Sequence, residues 1–346
     1  MSMASDTALF GGTDLWGTVK LLRRAFREHL ACARKVHALA AEVVRTPVGT
    51  PRGFEVDVGA VPSSLYSLRR NLFSTLFFAV FLLLDIAPER RAVYGKLNHL
   101  FRIWVTSADN LLDHEDKLAL PVRMAGESRV MRQVVALMAA DRVLARILDE
   151  AVESKVLRRD QARALSERSL QILLPSAAQE ASEEGGVRER PEPEYVLSTI
   201  HVLKTGILFN IPFLGPETVE EHIDTARMRR LKHALRDFGV GCQLLDDVRD
   251  MARDYREKRH NYVLSVLQAS DARYLRGLRA RDFANNYRLY REVPSVVLPT
   301  VRRALDMLGE GLAALGELGL GIAPEQAGEM AAGMLPVLDL GDLQLG

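Results

Sequence analysis

Residues 239–263 read GVGCQLLDDVRDMARDYREKRHNYV and contain a regularly spaced row of aspartates, the later acidic stripe. Asp246, Asp250 and Asp254 are spaced four residues apart, so on a helix their carboxylates lie along one face. The apolar, small-residue run at 238–241 precedes the stripe and indicates that the helix is buried where the stripe begins. Neighbouring carboxylates repel one another unless a cation lies between them, and their hard oxygens are ligands that Mg²⁺ prefers. The stretch therefore predicts a core helix that holds a divalent metal.

A second acidic group lies in the first half of the chain, in the sequence SADNLLDHEDK at 107–117. Asp109 and Asp113 are four residues apart and Asp116 is seven from Asp109, so we expect all three on one face at the end of a long helix. Several basic residues follow the later stripe. Because Mg²⁺ readily shares its coordination shell with phosphate oxygens, two acidic stripes with cations nearby predict a metal-bridged diphosphate clamp.

Composition and charge argue against several classes of protein. The chain has 346 residues with 46 basic and 45 acidic side chains, a net charge of +1. We therefore expect no binding to nucleic acid driven by overall charge. Its two cysteines, Cys32 and Cys242, cannot form a disulfide framework. The most apolar stretch, residues 72–84, is shorter than the about 20 residues that span a bilayer. No basic-then-apolar leader begins the sequence, so we expect a cytoplasmic protein with no membrane span.

Helical periodicity dominates the sequence and predicts an all-α fold. The predicted helices lie near 14–45, 63–86, 88–117, 128–153, 158–177, 193–214 and 217–257, with several more between 258 and 336. Pro- and Gly-rich or charged segments at 46–64 and 182–194 predict flexible loops, and we expect a loosely attached tail at 335–346. Only GFEVDVG at 53–59 alternates as a strand would, and its flanking prolines favour an extended connector. We expect one domain over 1–346 with its core at 14–336.

A set of motifs resembles one known family. The segment HVLKTGILF at 201–209 contains Lys204, Thr205 and Gly206, and is similar to a diphosphate-contacting Lys-Thr segment. Gln243 with Asp246, Asp247 and Asp250 is similar to that family's second aspartate-rich motif, and Asp109 and Asp113 fall where its first belongs. Order and spacing agree over roughly residues 65–265. The chain thus resembles the trans-isoprenyl diphosphate synthases and their relatives in the all-α class I isoprenoid (terpene) synthase fold.

The resemblance implies a helical bundle with a central apolar cavity, in which Mg²⁺ draws off the diphosphate of an allylic isoprenoid substrate. It implies three Mg²⁺ ions, or Mn²⁺ in their place, and a homodimer. The metal ligands that it implies are Asp109, Asp113, Asp246, Asp247, Asp250 and Asp254, and the first five of these with Lys204 form the catalytic set. The substrate-binding residues that it implies are Arg69, Arg70, Lys204, Thr205, Gln243, Lys258 and Arg259, with Phe77 and Phe81 as cavity walls.

The sequence departs from the family where an isopentenyl diphosphate acceptor would bind. The usual Gly-Gly-Lys-Arg-x-Arg-Pro stretch is reduced to Arg69 and Arg70, and KLALP at 117–121 stands where Arg-Arg-Gly-x-Pro is expected. The first acidic motif reads DNLLD, with Asn110 in place of a second leading aspartate. Without an acceptor, the carbocation would be captured by double bonds of its own molecule. The expected activity is therefore that of a class I terpene synthase, a cyclase.

Three alternatives stay open. The first is a chain-elongating trans-prenyl diphosphate synthase. The second is a head-to-head enzyme similar to squalene and phytoene synthases, whose motif is approximately met by Gln243, Asp250, Asp254, Arg256, Arg259 and Tyr262. The third is an inactive scaffold subunit, although acidic residues beside a buried segment carry a desolvation penalty that a scaffold would not need.

Overall fold

The computed structural model describes residues 15–279, 281 and 287–343, and this part of the chain is helical almost throughout. The predicted all-α class is therefore confirmed. The chain divides into two compact units. We name them after their central helices: the α9 unit comprises residues 1–18, 171–210 and 225–346, and the α3 unit comprises 19–170 and 211–224. Organisation as one domain stays a prediction, and residues 1–14 and 344–346 lie outside the described residues.

The elements follow one another along the chain as helices with two short strands. The helices are α1 (Leu15–Val43), α2 (Leu72–Leu83), α3 (Pro88–Leu112), α4 (Arg129–Glu153), α5 (Arg159–Gln171), α6 (Leu174–Glu183), α7 (Pro193–Tyr195), α8 (Leu214–Val219), α9 (Thr225–Glu257), α10 (Tyr262–Ser270), α11 (Ala272–Leu278), α12 (Pro294–Leu315), α13 (Pro324–Ala332) and α14 (Met334–Val337). Two π-helical turns, Val196–Ile200 and Val202–Gly206, continue α7. The strands are β1 (Val56–Val58) and β2 (Val122–Met124), which pair antiparallel. Within the alternating run at 53–59, predicted as an extended connector, residues 56–58 thus form a short strand.

The α3 unit is built around α3, which packs along α4. Its core is aromatic, because Phe78, Phe81, Tyr94 and Phe101 are all almost completely buried. The ring of Tyr94 lies against Gly215, where an added Cβ would come within 2.4 Å of it. A larger residue than glycine at that position would therefore displace a core side chain.

The α9 unit is built around the longest described helix, α9, which packs along α12. Two glycines allow the two backbones to approach closely. A Cβ on Gly241 would lie 2.9 Å from the carbonyl oxygen of Ala304, and one on Gly311 would lie 2.7 Å from that of Ala234. Backbone atoms cannot move aside as a flexible side chain can, so this contact fixes α9 in place. The helix carrying the later acidic stripe is thus rigidly supported immediately before Asp246.

The tail predicted to be loosely attached is held in the α9 unit as far as it is described. Leu340 is completely buried, and Asp342 accepts hydrogen bonds from the Tyr290 hydroxyl at 2.9 Å and from Arg291 Nε at 3.0 Å. The prediction is wrong for residues 335–343, because a buried leucine and an ion-paired aspartate anchor the segment. Its last three residues, 344–346, lie outside the described range.

In the described part of the chain, no helix on its own is both long and apolar enough to cross a membrane. The consecutive segments Pro193–Gly206 and Leu208–Val219 meet that test of length and composition only when they are joined across a bend.

Candidate active site

Two carboxylates of the later acidic stripe converge on one positive charge. Asp246 and Asp250 lie one turn apart on α9, and Arg249 contacts both. Its Nη2 is 2.5 Å from Asp246 Oδ1 and 2.8 Å from Asp250 Oδ2, while its Nε donates a 2.8 Å hydrogen bond to Asp250 Oδ1. Arg253 donates a further hydrogen bond of 2.6 Å to Asp250 Oδ2. Sequence analysis overlooked Arg249, although its spacing of three from Asp246 could have indicated this pair.

The protonation states of Arg249 and Asp246 follow from their surroundings. Burial alone would lower the pKa of Arg249, but its hydrogen bond to Asp250 and the charge of Asp246 raise that pKa above its ordinary value. Burial also raises the pKa of the Asp246 carboxyl, and the Arg249 charge only partly opposes this. The guanidinium is therefore charged, and a cation near Asp246 stabilises the ionised carboxylate.

Asp247 has a different environment from its neighbours on the stripe. Its side chain is 2% exposed. Its Oδ1 accepts a 3.0 Å hydrogen bond from Gln243 Nε2, and its Oδ2 accepts one of 2.5 Å from the backbone N–H of Tyr262. The Thr205 hydroxyl donates to Gln243 Oε1, and His201 Nε2 lies 2.9 Å from Asp247 Oδ2. Asp247 thus ties α10 and the Lys-Thr segment to α9. A role of Asp247 as a metal ligand stays a prediction. Its contacts argue against that role, because both carboxylate oxygens already accept hydrogen bonds.

Asp254 lies at the far end of the stripe. Its Oδ2 accepts a 2.8 Å hydrogen bond from Asn261 Nδ2, which also donates to the backbone oxygen of Asp247 at 2.7 Å. Asn261 Oδ1 accepts from the Leu264 N–H and so caps α10. Burial and then the charge of Asp247 raise the pKa of Asp254 well above its ordinary value. A nearby cation would therefore stabilise the ionised form of Asp254.

Two cations that were predicted to bind the diphosphate share one acidic partner. Lys204 Nζ lies 3.2 Å from Glu180 Oε1, and Arg259 Nη1 donates a 3.4 Å hydrogen bond to Glu180 Oε2. Burial would lower the pKa of Lys204, but the charges of Glu183, Glu180 and Asp254 outweigh burial and raise it. Lys204 is therefore an ammonium ion. Glu180 belongs to no motif in the sequence, so only the packing of α6 reveals it.

The end of α9 is fixed by the segment that was predicted as a flexible loop. Lys258 is exposed and has a left-handed backbone (φ 56). Its carbonyl oxygen accepts a 2.7 Å hydrogen bond from the Val187 N–H, and that of Arg259 accepts one of 3.0 Å from Arg190 Nη1. Residues 187–190 therefore lie on the end of the helix, and the flexibility of 182–194 stays a prediction.

The first acidic motif lies at the end of α3, in the α3 unit. Asp109 and Asp113 are both half-buried, and Asp113 closes the helix with a 2.8 Å hydrogen bond from its N–H to the Asp109 carbonyl. Asn110 is 1% exposed: its Nδ2 donates to the Lys117 carbonyl at 2.7 Å, and its Oδ1 accepts from the Lys117 N–H at 2.9 Å. The asparagine that departs from the family motif thus closes the loop at 113–117.

The prediction that Asp116 shares the helix face of Asp109 is wrong. Helix α3 ends at Leu112 and not near 117, because His114 adopts a left-handed backbone (φ 55) that breaks the helix. Asp116 instead accepts a 2.7 Å hydrogen bond from Arg132 on α4. The acid therefore joins the loop to α4 and is not part of the candidate site.

A cationic group precedes the first acidic motif on α3. Arg69 and Arg70 lie exposed in a 3-10 turn before α2. Arg102 on α3 donates a 2.6 Å hydrogen bond to Asn71 Oδ1, and within the described part of the chain no carboxylate forms an ion pair with it. Burial and then the charge of Arg70 lower the pKa of Arg102. Sequence analysis overlooked Arg102, although it lies seven residues before Asp109 and so on the same helix face.

The two aromatic residues predicted as cavity walls lie on α2. Phe81 is completely buried, and its ring packs edge-on against Phe78 and Tyr94, with centroids 5.5 Å and 5.6 Å away. Phe77 is half-buried. Phe81 is thus a core residue of the α3 unit, while the apolar cavity and its walls stay predictions.

The contacts of the acidic residues show whether their oxygens suit a magnesium ion. Among the described residues, no three His, Cys, Asp or Glu side chains are arranged to hold a metal ion. Asp246 and Asp250 nevertheless grip one cationic group jointly, which shows that two carboxylates at this spacing converge on a positive charge. Their hard oxygens suit Mg²⁺. The donor chemistry therefore fits the ion. The joint use of both acidic motifs stays a prediction.

No protein-family model matches the chain, and no curated protein matches it. Solved structures do. A decaprenyl diphosphate synthase from Rhodobacter capsulatus is 14% identical, with a TM-score of 0.60 over 92% of this chain and 98% of that one. A geranylgeranyl pyrophosphate synthetase from Geoglobus acetivorans is 12% identical, with a TM-score of 0.57 over 92% and 98%.

A polyprenyl synthetase from Streptomyces coelicolor A3(2) is 16% identical, with a TM-score of 0.56 over 93% of this chain and 99% of that one. At such low identity these likenesses establish the fold alone. The resemblance drawn from the acidic motifs and the Lys-Thr segment is thereby confirmed at the level of architecture: the chain has the all-α fold of the class I isoprenoid synthases.

Proposed function

We propose that the protein is a chain-elongating trans-prenyl diphosphate synthase, which joins isopentenyl diphosphate to an allylic diphosphate. The observation that carries this proposal is Arg102. It is a half-buried guanidinium with a neutral partner, Asn71, and it lies on the helix of the first acidic motif. The similar solved structures are those of prenyl and polyprenyl diphosphate synthases, which supports the same assignment.

The charge of Arg102 favours the binding of a diphosphate. A buried guanidinium loses hydration, and an amide oxygen returns only part of that free energy. Burial, and then repulsion from Arg70, lower the pKa of Arg102. A diphosphate would relieve both costs, because phosphate oxygens accept charge-assisted hydrogen bonds from a guanidinium fork. The α3 unit thus offers a binding site for one diphosphate at Arg102. At a rise of 1.5 Å per residue, Arg102 lies about 10 Å along the helix from Asp109.

The carboxylates then belong to the second diphosphate, that of the allylic substrate. Asp109 and Asp113 in the first motif would hold Mg²⁺, and so would Asp246 and Asp250 in the second; the ion would neutralise charge as the diphosphate leaves. The ammonium group of Lys204 would hold the departing oxygens. The electron pair of the allylic C–O bond leaves with the diphosphate, and the isopentenyl double bond attacks the resulting carbocation to form the new C–C bond. The released diphosphate then accepts a proton from the condensed cation, which forms the new double bond. Arg102 and Arg70 would position the isopentenyl diphosphate for that capture.

The terpene cyclase expected from the sequence is the second candidate, and one stretch favours it. Residues 117–121 contain a single cation, Lys117, which forms an ion pair with Glu115. The arginine pair that elongating enzymes carry there is missing. Arg102 supplies a positive charge that the comparison with the family's acceptor-site motifs did not include. The geometry therefore supports chain elongation better than cyclisation.

The assay that separates the candidates uses Mg²⁺ with geranyl, farnesyl or geranylgeranyl diphosphate, each with and without isopentenyl diphosphate. We expect a longer prenyl diphosphate, formed only when isopentenyl diphosphate is present. A hydrocarbon or terpene alcohol formed without it would replace this proposal with a cyclase. If no allylic substrate releases diphosphate, the scaffold alternative holds.

A further inference from the structure

We propose that Arg249 competes with the divalent metal for the later acidic motif, so that the metal binds Asp246 and Asp250 only by displacing this guanidinium. The inference rests on the proposed function, which gives these two aspartates to a metal ion. It adds a residue that weakens metal binding and so sets how much metal the enzyme needs.

The contacts of Arg249 occupy the atoms that a metal would use. Both oxygens of Asp250 accept hydrogen bonds of 2.8 Å from it, and Asp246 Oδ1 lies 2.5 Å from its Nη2. Such charge-assisted, bidentate bonds are the strong ones among protein hydrogen bonds. An ion that coordinates the same oxygens must break them, so its binding free energy is reduced by their cost.

The position of Arg249 in the chain makes it a permanent competitor. It precedes Asp250 directly and follows Asp246 by three residues, so helix geometry keeps its side chain beside both carboxylates. All three residues lie on α9, so no movement of the helix as a body can separate the guanidinium from the two carboxylates. Rotation of the Arg249 side chain is what frees Asp246 Oδ1 and Asp250 Oδ1.

That rotation is open to Arg249. Its side chain is 31% exposed, and that of Asp246 is 36% exposed, so the guanidinium can move into solvent without crossing the core. Arg253, at 24% exposure, donates a 2.6 Å hydrogen bond to Asp250 Oδ2. Moving Arg249 away therefore removes the guanidinium that bridges Asp246 and Asp250.

The test measures Mn²⁺ binding to the purified full chain by calorimetry or by the spin-resonance signal of free Mn²⁺, without substrate. Arg249→Met should bind Mn²⁺ about tenfold more tightly than the wild type, the ratio that loss of one strong hydrogen-bonded pair produces. Arg249→Lys keeps the charge but not the bidentate fork, and should fall between the two. Adding Asp250→Asn to Arg249→Met should abolish the gain.

The matched control is Arg236→Met. Arg236 also pairs with the aspartate that follows it, Asp237, and it lies on the same helix about 20 Å from Arg249 at 1.5 Å per residue. Its Mn²⁺ affinity should equal that of the wild type. If folded Arg249→Met and Arg249→Lys bind Mn²⁺ no more tightly than the wild type does, the competition is refuted and the proposed function stands. If no form binds Mn²⁺, both fail.

Discussion

The Arg102 guanidinium donates a 2.6 Å hydrogen bond to the side-chain oxygen of Asn71, and the Asn71 amide is fixed in turn. Its Nδ2 donates to the carbonyls of Leu65 and Ser67, both at 2.8 Å, and His29 Nε2 lies 3.0 Å from its Oδ1. A buried amide held at both ends cannot turn, so the guanidinium is positioned before any ligand arrives. Such pre-organisation lowers the entropy cost of binding an anion.

Arg102→Met should raise the KM for isopentenyl diphosphate by about 10- to 100-fold, because a desolvated charge-assisted contact contributes about 1.5–3 kcal/mol. The KM for the allylic substrate should change little. Steady-state kinetics with each substrate varied in turn measures both. Arg90→Met is the control, because Arg90 lies on the same helix, α3, but forms an ion pair with Glu220. Equal changes in both KM values would contradict the assignment of Arg102.

Asn110→Asp would restore the family's motif, yet it should harm the protein. A carboxylate can accept from the Lys117 N–H but cannot donate to its carbonyl, which would face a buried negative charge. We expect a loss of about 1–3 kcal/mol in the free energy of unfolding and lower turnover. Urea unfolding with activity on the same sample measures both. A stable, more active Asn110→Asp would show that position 110 serves the metal and not the loop.

Asp250→Asn should lower turnover by at least about 100-fold, as expected where an electrostatic contribution to the transition state is removed, and should leave the helical circular dichroism unchanged. Asp237→Asn removes a carboxylate from the same helix, where it pairs with Arg236, and serves as the control. Full activity of Asp250→Asn would break the assignment of the later stripe to metal binding.

Acid should destabilise the α3 unit through three buried histidines. Burial holds the pKa of His29 and His37 at about 4, below the ordinary 6.5, and that of His99 well below it. The His37 and His99 Nε2 atoms lie 3.1 Å apart, so one of them must be an acceptor. Because the unfolded chain binds these protons first, their stabilisation is complete above pH 6.5 and is lost as the pH falls toward 4.

The expected loss is up to about 1.4 kcal/mol per pH unit for each histidine. Urea unfolding midpoints at a series of pH values across this window measure it. His37→Gln should flatten the dependence, whereas replacing the exposed His222 by Gln should leave it unchanged. A wild-type slope in folded His37→Gln would contradict this explanation.

The sequence predicted what depends on spacing along the chain. Helical periodicity and the four-residue repeat of Asp246 and Asp250 placed both on one helix face, as the structure shows. Spacing along the sequence does not predict which group a side chain contacts in the folded protein. That Asn110 binds Lys117, or that Arg249 bridges two carboxylates, depends on loop closure and rotamers.

The predictions that failed have local causes. The spacing of Asp109, Asp113 and Asp116 predicts a helix that extends to 117, but the left-handed His114 ends it at Leu112, and spacing along the chain carries no information on φ. The tail was judged loose from its composition, yet Leu340 finds a core position and Asp342 two basic partners. Tertiary contacts decided both outcomes.

Chain elongation is tested most directly by the mass of the product formed from unlabelled geranyl diphosphate and carbon-13-labelled isopentenyl diphosphate in the presence of Mg²⁺. Our account predicts a prenyl diphosphate that is longer by one or more isoprene units, each carrying the label, and no product when Mg²⁺ is chelated. An unlabelled terpene released from the geranyl group alone would contradict it.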